Sequence, residues 1–309
     1  MNIKVEDFQI SNYQNLVRYA VENFTQAQYD SPDGPRRIIW RHDCDFSLSK
    51  ALTIGKIDQQ EGMRATFFIN IHANTYNALS LSGQDKIRSI IQQEHEIGIH
   101  LDPVFYGGIA TIERLTEILQ FEKQQYLRHF GTTPKAFSFH NPTDLESQFQ
   151  NDKYAGLINC YSKKFRDDWR YGSDSNGYWR HKAISEVLHE DVASPLQVLT
   201  HAEWWSDKPQ MPRERLVATL LLSTYHEIIQ YDRSLSVFGR SNFSAIEEKI
   251  RDIGGTDIEL HLILTALYSL MALDSSFESK NDSSPFQSQI DALTSKMTAL
   301  DLIQLRFNE

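Results

Sequence analysis

Apolar residues in the first two thirds of the chain gather into short runs, and each run stops on a polar or ionisable side chain. Ile38-Ile39-Trp40 leads into Arg41-His42-Asp43-Cys44-Asp45, and Ala65-Thr66-Phe67-Phe68-Ile69 into Asn70. Ile97-Gly98-Ile99 ends at His100, Ala136-Phe137-Ser138-Phe139 at His140, and Leu196-Gln197-Val198-Leu199-Thr200 at His201. Runs of this length read as buried strands. Between them lie helical patterns at Leu48–Glu61, closed by Gly62, at Asp85–Gln93, and at Ile112–Phe130, closed by Gly131 with Pro134 behind it. A lead-in helix is expected over residues 12–30, broken by Ser31-Pro32-Asp33-Gly34-Pro35. Strand and helix in alternation imply a parallel sheet or barrel, whose carboxyl-end loops collect the chemistry at one rim.

Beyond Trp205 the pattern turns helical, over Arg213–Tyr231, Ser244–Ile253 and Ile258–Ala272. A Ser/Asp/Asn-rich link at 274–284 precedes a last helix, Gln289–Phe307. The expected division is a barrel domain over 1–205 and a helical extension over 206–309. The last helix packs on its own domain or, alternatively, makes a homo-oligomer contact.

Composition narrows the partners. A formal charge of −10 argues against a nucleic-acid surface. Only two cysteines are present, Cys44 and Cys160, and neither lies in a C-x-x-C pair, so neither a disulfide framework nor a thiolate zinc cage is indicated. No apolar stretch is long enough to span a bilayer, and the first residues carry no signal-peptide pattern, so a cytoplasmic location is expected.

On an extended strand Asp43 and Asp45 share a face while His42 and Cys44 take the other. One carboxylate can bind a metal while the other takes a proton from a water beside it; the competing reading is an ion cluster neutralised by Arg41. His100 and His201 leave the core at the rim. Asn141-Pro142 turns the chain directly after His140 and fixes that imidazole at the sheet edge. The pair Trp204-Trp205 fits a sugar-stacking wall or a core cap. His72 is a reserve candidate, and His95, His129, His181, His189, His226 and His261 are read as structural or solvated.

Taken in order, Arg41-His42-Asp43-Cys44-Asp45, Arg64 to Ile69, His95-Glu96-Ile97-Gly98-Ile99-His100 and Leu199-Thr200-His201 resemble motifs of the polysaccharide deacetylase superfamily, the NodB-homology or carbohydrate esterase family 4 fold, over about residues 36 to 205. The R-H-D-x-D start, the 171–179 segment and Leu199 to Trp205 are closer to a divergent bacterial branch, some of it linked to surface-polysaccharide biosynthesis. The resemblance implies a distorted (β/α)7-type barrel and a divalent metal ion, zinc foremost, holding a water that attacks an N-acyl carbonyl. It implies Asp43 as base, Asp45 and His100 as metal ligands, and His201 as the acid. The family's second histidine, four residues after the first, is Val104 here. His140 is therefore the expected third ligand, with Asp102 in reserve. Asn141, Asp174, Trp179 and Trp205 are the expected substrate contacts, Asp174 alternatively orienting His201. The implied activity is deacylation of a small or precursor-linked amino sugar; a non-sugar amide hydrolase and a non-catalytic binding barrel are the alternatives.

Overall fold

The computed structural model describes residues 4–240. Nine strands are present among them: β1 (Thr25–Gln26), β2 (Arg37–Cys44), β3 (Thr66–Ile69), β4 (Glu96–Leu101), β5 (Ala136–Phe139), β6 (Lys153–Tyr154), β7 (Leu157–Asn159), β8 (Arg170–Ser173) and β9 (Leu196–Thr200). They form one sheet in the order β6-β7-β5-β4-β3-β2-β9-β8, with β1 against β2. From β7 through to β8 every neighbour is parallel, and β6 alone is antiparallel. The result is a curled, open half-barrel of seven parallel strands, a distorted (β/α) barrel.

The helices sit where their end signals put them. Helix α1 (Ile10–Asn23) stops earlier than the sequence pattern predicts, because Thr25-Gln26 turns extended and pairs with Arg37-Ile38. Helix α2 (Leu48–Glu61) starts on Ser47, whose side chain accepts from the Lys50 amide, and ends at Gly62, whose φ of 80° is the left-handed geometry a glycine takes without strain. Helix α3 (Leu81–Gln92) begins a turn before the expected Asp85, since the Ser80 hydroxyl caps the Gly83 amide. Helix α4 (Ile112–Phe130) runs from its Thr111 cap to Gly131 as the pattern predicts. Short helices α5 (Lys163–Asp167) and α6 (Ile184–Leu188) flank β8, and the long α7 (Pro212–Ser236) follows β9.

Strands β6, β7 and β8 and the two short helices are additions to the sequence reading. The chain divides into compact units at Leu220/Leu221, fifteen residues beyond the expected boundary and inside α7. The expected helices at Ser244–Ile253, Ile258–Ala272 and Gln289–Phe307 lie outside the described residues. No helix among the described residues is long and apolar enough to cross a membrane.

Two features pin β2 at the centre of the sheet. On its even face, buried His42 reaches Asp58 of α2 through Nε2 (2.7 Å) and Thr200 of β9 through Nδ1 (2.7 Å), while the Tyr13 hydroxyl of α1 donates to Asp58 (2.6 Å). A buried network with each partner satisfied fixes one register. On its odd face, the Phe68 ring of β3 lies over Gly98 of β4, so close that a Cβ at 98 would stand 2.3 Å from the ring. Gly98→Ala is therefore expected to lower stability by about 1–3 kcal/mol through overpacking. A reduced midpoint in denaturant unfolding, with an unchanged slope, is the measurement.

Candidate active site

Five strand ends deliver six side chains to the carboxyl rim. Asp43 lies near the end of β2 and Asp45 just past it, His100 is the penultimate residue of β4, and His140, Asp174 and His201 directly follow β5, β8 and β9. Alternation along β2 places Arg41, Asp43 and Asp45 on the rim-facing side.

Three of these groups meet. His100 Nε2 lies 2.9 Å from Asp45 Oδ1, and His140 Nδ1 lies 3.2 Å from His100 Nε2 and 3.3 Å from Asp45 Oδ1. Four-coordinate ligands at 2.0–2.1 Å from a metal stand about 3.3 Å apart, so these spacings are those of three corners of a tetrahedron. The donor set of one carboxylate and two imidazoles suits a first-row divalent ion. Such an ion fits Asp45, His100 and His140, which are the candidate cation cluster among the described residues. His100 Nδ1 meets the Ser138 hydroxyl at 2.8 Å, which holds the ring with Nε2 toward the cluster. His140 Nε2 lies 3.0 Å from the side-chain amide of exposed Asn141, whose φ of 46° turns the chain sharply away from the strand. Asp102, the reserve ligand, is outside the cluster, because its Oδ1 accepts from the Val104 amide at 2.9 Å. Burial raises the Asp45 carboxyl, but hydrogen bonds from His100 and His140 outweigh it and hold Asp45 well below the usual carboxylate range.

Asp43 stands on one side of the cluster. Its Oδ2 accepts from Arg41 Nη2 at 2.7 Å and lies 3.8 Å from His100 Nδ1, while its buried Oδ1 has no partner. Arg41 is itself buried, with its guanidinium 5.2 Å from the Phe68 ring centroid and 5.6 Å from that of Tyr161. The ion-cluster reading applies to one of the two aspartates: Arg41 neutralises Asp43, while Asp45 lies with the histidines.

His201 stands on the other side, its Nε2 3.8 Å from Asp45 Oδ2. Its Nδ1 donates to Asp174 Oδ1 at 2.7 Å, and its backbone amide to Asp174 Oδ2 at 2.9 Å. Burial lowers the His201 imidazole, but the Asp174 charge and hydrogen bond outweigh it and push the group up to about 10.

Three expected substrate contacts are placed elsewhere. Asp174 is fully buried and occupied by His201 and by Trp205, whose Nε1 donates to Oδ2 at 2.9 Å. Trp205, only 1 % exposed, packs against Phe8 and Tyr13 and is a core cap, with no face open to a ligand. Trp179 stacks on Phe8 at 4.4 Å and donates to Asp7. The indole N–H groups and the carboxylate find partners within the fold, so Trp205 and Asp174 are fully buried and Trp179 is half-buried against Phe8. Arg41 is the site residue that the strand pattern underplayed, although its place two residues before Asp43 on the same face was the available signal.

No protein-family model matches the chain, and no curated protein matches it. Its likeness is to solved carbohydrate esterases and deacetylases. A family 4 acetyl xylan esterase from Clostridium thermocellum, solved with a cobalt ion, is 17% identical over 59% of this chain and 82% of its own, with a TM-score of 0.36. A chitin deacetylase from Colletotrichum lindemuthianum is 16% identical over 64% of this chain and 86% of its own (TM-score 0.34), and a polysaccharide deacetylase from Bacillus cereus 13% identical over 62% and 87% (TM-score 0.33).

Removing one member of the buried Arg41–Asp43 pair strands the other. Arg41→Met is expected to destabilise the fold by about 3–5 kcal/mol, and Arg41→Met with Asp43→Asn to recover part of that loss. Denaturant unfolding of the two variants beside the parent measures both effects.

Proposed function

We propose that this chain is a metal-dependent amide hydrolase that removes the acyl group from an N-acylated amino sugar. The observation that carries the reading is the convergence of Asp45, His100 and His140 within 2.9–3.3 Å of one another. Asp43 on one side and the Asp174-backed His201 on the other complete the arrangement. Hydrolysis of an amide needs a base for the attacking water and an acid for the departing nitrogen, and this arrangement supplies both. When bound, the divalent ion polarises the amide carbonyl and makes water more acidic.

The chain's own groups divide the proton traffic. Asp43 keeps a free oxygen, Oδ1, at the rim, and Arg41 holds the other, so Asp43 is oriented to accept a proton from water. The new bond joins that water oxygen to the acyl carbon, and the bond that breaks is carbon to nitrogen. His201, with Nδ1–H committed to Asp174, presents Nε2–H to the leaving nitrogen and returns a proton there. The products are a carboxylic acid and a free amino sugar. Zinc is the ion we assign first, and a precursor of a surface glycan, met in the cytoplasm, is the substrate we assign by the resemblance of the R-H-D-x-D start.

Full-length protein purified without chelator is expected to carry about one divalent ion per chain and, when loaded, to release acetate from a panel of N-acetylated amino sugars. Asp45→Ala, His100→Ala and His140→Ala are each expected to abolish metal uptake in elemental analysis. Normal uptake by His140→Ala overturns the ligand set, and absence of acetate from the loaded parent overturns the activity.

The pH dependence has a defined sign. A general acid works only while protonated, and Asp174 keeps His201 protonated up to about 10, well above the ordinary 6.5. Asp174→Asn removes that support, so the basic limb of the kcat profile is expected to move down toward neutral pH. A limb that stays in place shows that His201 is not the acid.

A further inference from the structure

The turn that follows the metal-ligand strand β4 presents an aromatic ring to solvent. Phe105 is 56% exposed, yet its neighbour Tyr106 points inward, where its hydroxyl donates to buried Glu122 at 3.0 Å. The turn is closed by the Gly108 amide on Pro103 O (2.8 Å) and the Gly107 amide on Val104 O (3.1 Å), with both glycines at positive φ. Phe105 is thus not a ring that failed to find the core. It is held out by a built turn.

One face of that ring is already covered. His72, from the loop after β3, stacks on Phe105 at 3.6 Å and 8° between planes. The imidazole is clamped in turn: its Nε2 meets the Tyr106 hydroxyl at 3.0 Å, and its backbone amide donates to Asn70 Oδ1 at 2.9 Å. The His72 loop is moored to the site, since Thr75 Oγ1 donates to Asp45 O (2.9 Å) and Tyr76 Oη to Cys44 O (2.6 Å). On the other side, Asp102 ties the Val104 amide two residues after His100. The Asp102 charge acts on both His72 and His140, so one carboxylate is within electrostatic reach of the stacked pair and of the cation cluster.

We propose that Phe105 is the stacking platform for the sugar ring of the substrate, receiving on its open face the pyranose whose N-acyl group lies at Asp45, His100 and His140. This rests on the amide-hydrolase reading above. A pre-oriented aromatic face matches the axial C–H face of a pyranose.

The test uses the metal-loaded full chain, with the methyl glycoside of N-acetylglucosamine as sugar probe and N-acetylethanolamine as an amide without a ring. Phe105→Ala is expected to weaken calorimetric binding and raise KM for the sugar about tenfold. Metal content, melting temperature, kcat and turnover of N-acetylethanolamine should remain at the parent's values, and Phe105→Trp should bind the sugar as well as the parent. Equal losses on both amides, or no change in sugar binding, overturn the platform. If the parent releases acetate from neither amide, the hydrolase reading fails, and calorimetry still decides the platform: weaker sugar binding by Phe105→Ala supports it, while identical or absent binding overturns it.

Discussion

A strand at the centre of a parallel sheet is buried on both faces, and β2 carries Arg41, His42 and Asp43 into that position, with Asp45 just past its end. Ionised groups taken out of water are costly unless partnered. Much of the local architecture follows from meeting that requirement. Arg41 and Asp43 neutralise each other along one face of one strand, and aromatic rings of Phe68 and Tyr161 flank the guanidinium. Phe68 can lie there because Gly98 leaves it room. On the reverse face, His42 is satisfied by Asp58 and Thr200, which fastens β2 to a helix on one side and to β9 on the other.

The same register that settles those charges sets the spacing at the rim. His42 opposite Thr200 ends β9 two residues short of the end of β2, and His201, the next residue, brings its Nε2 to 3.8 Å from Asp45 Oδ2. His100 opposite Ser138 ends β4 and β5 level with each other and leaves His140 one step beyond. In the proposed ligand set, the next strand end along the sheet supplies the imidazole that the resemblance places at position 104. Val104 is free of that duty, lies 77% exposed, and belongs to the turn that holds out Phe105.

Elements with a long periodic signal were legible in the sequence, as α2 and α4 show. The rim residues were legible for a related reason: an apolar run that stops on an ionisable group marks a strand end, and Asn141-Pro142 marked the one at His140. What escaped was structure fixed by partners distant in the chain. Strands β6 and β7 have two and three residues and carry no run of their own. Helix α1 ends where Thr25 finds Arg37, a pairing that local propensity does not encode. Trp205 looked as suited to a ligand wall as to the core, because its choice depends on Asp174, 31 residues away.

The charge state of the rim gives the arrangement its direction. Arg41 cancels Asp43, and a protonated His201 cancels Asp174. Burial pushes Glu203 up to about 8, so this enclosed carboxyl is largely neutral at pH 7 and adds little charge to the site. Asp45 remains as the carboxylate without a full counter-charge, held ionised by hydrogen bonds from His100 and His140. A divalent cation held by those three groups, as proposed, would turn the negative character of the site positive. That sign is the one amide hydrolysis requires, since negative charge grows on the carbonyl oxygen as water adds, and a preoriented positive site stabilises it most where bulk water is excluded.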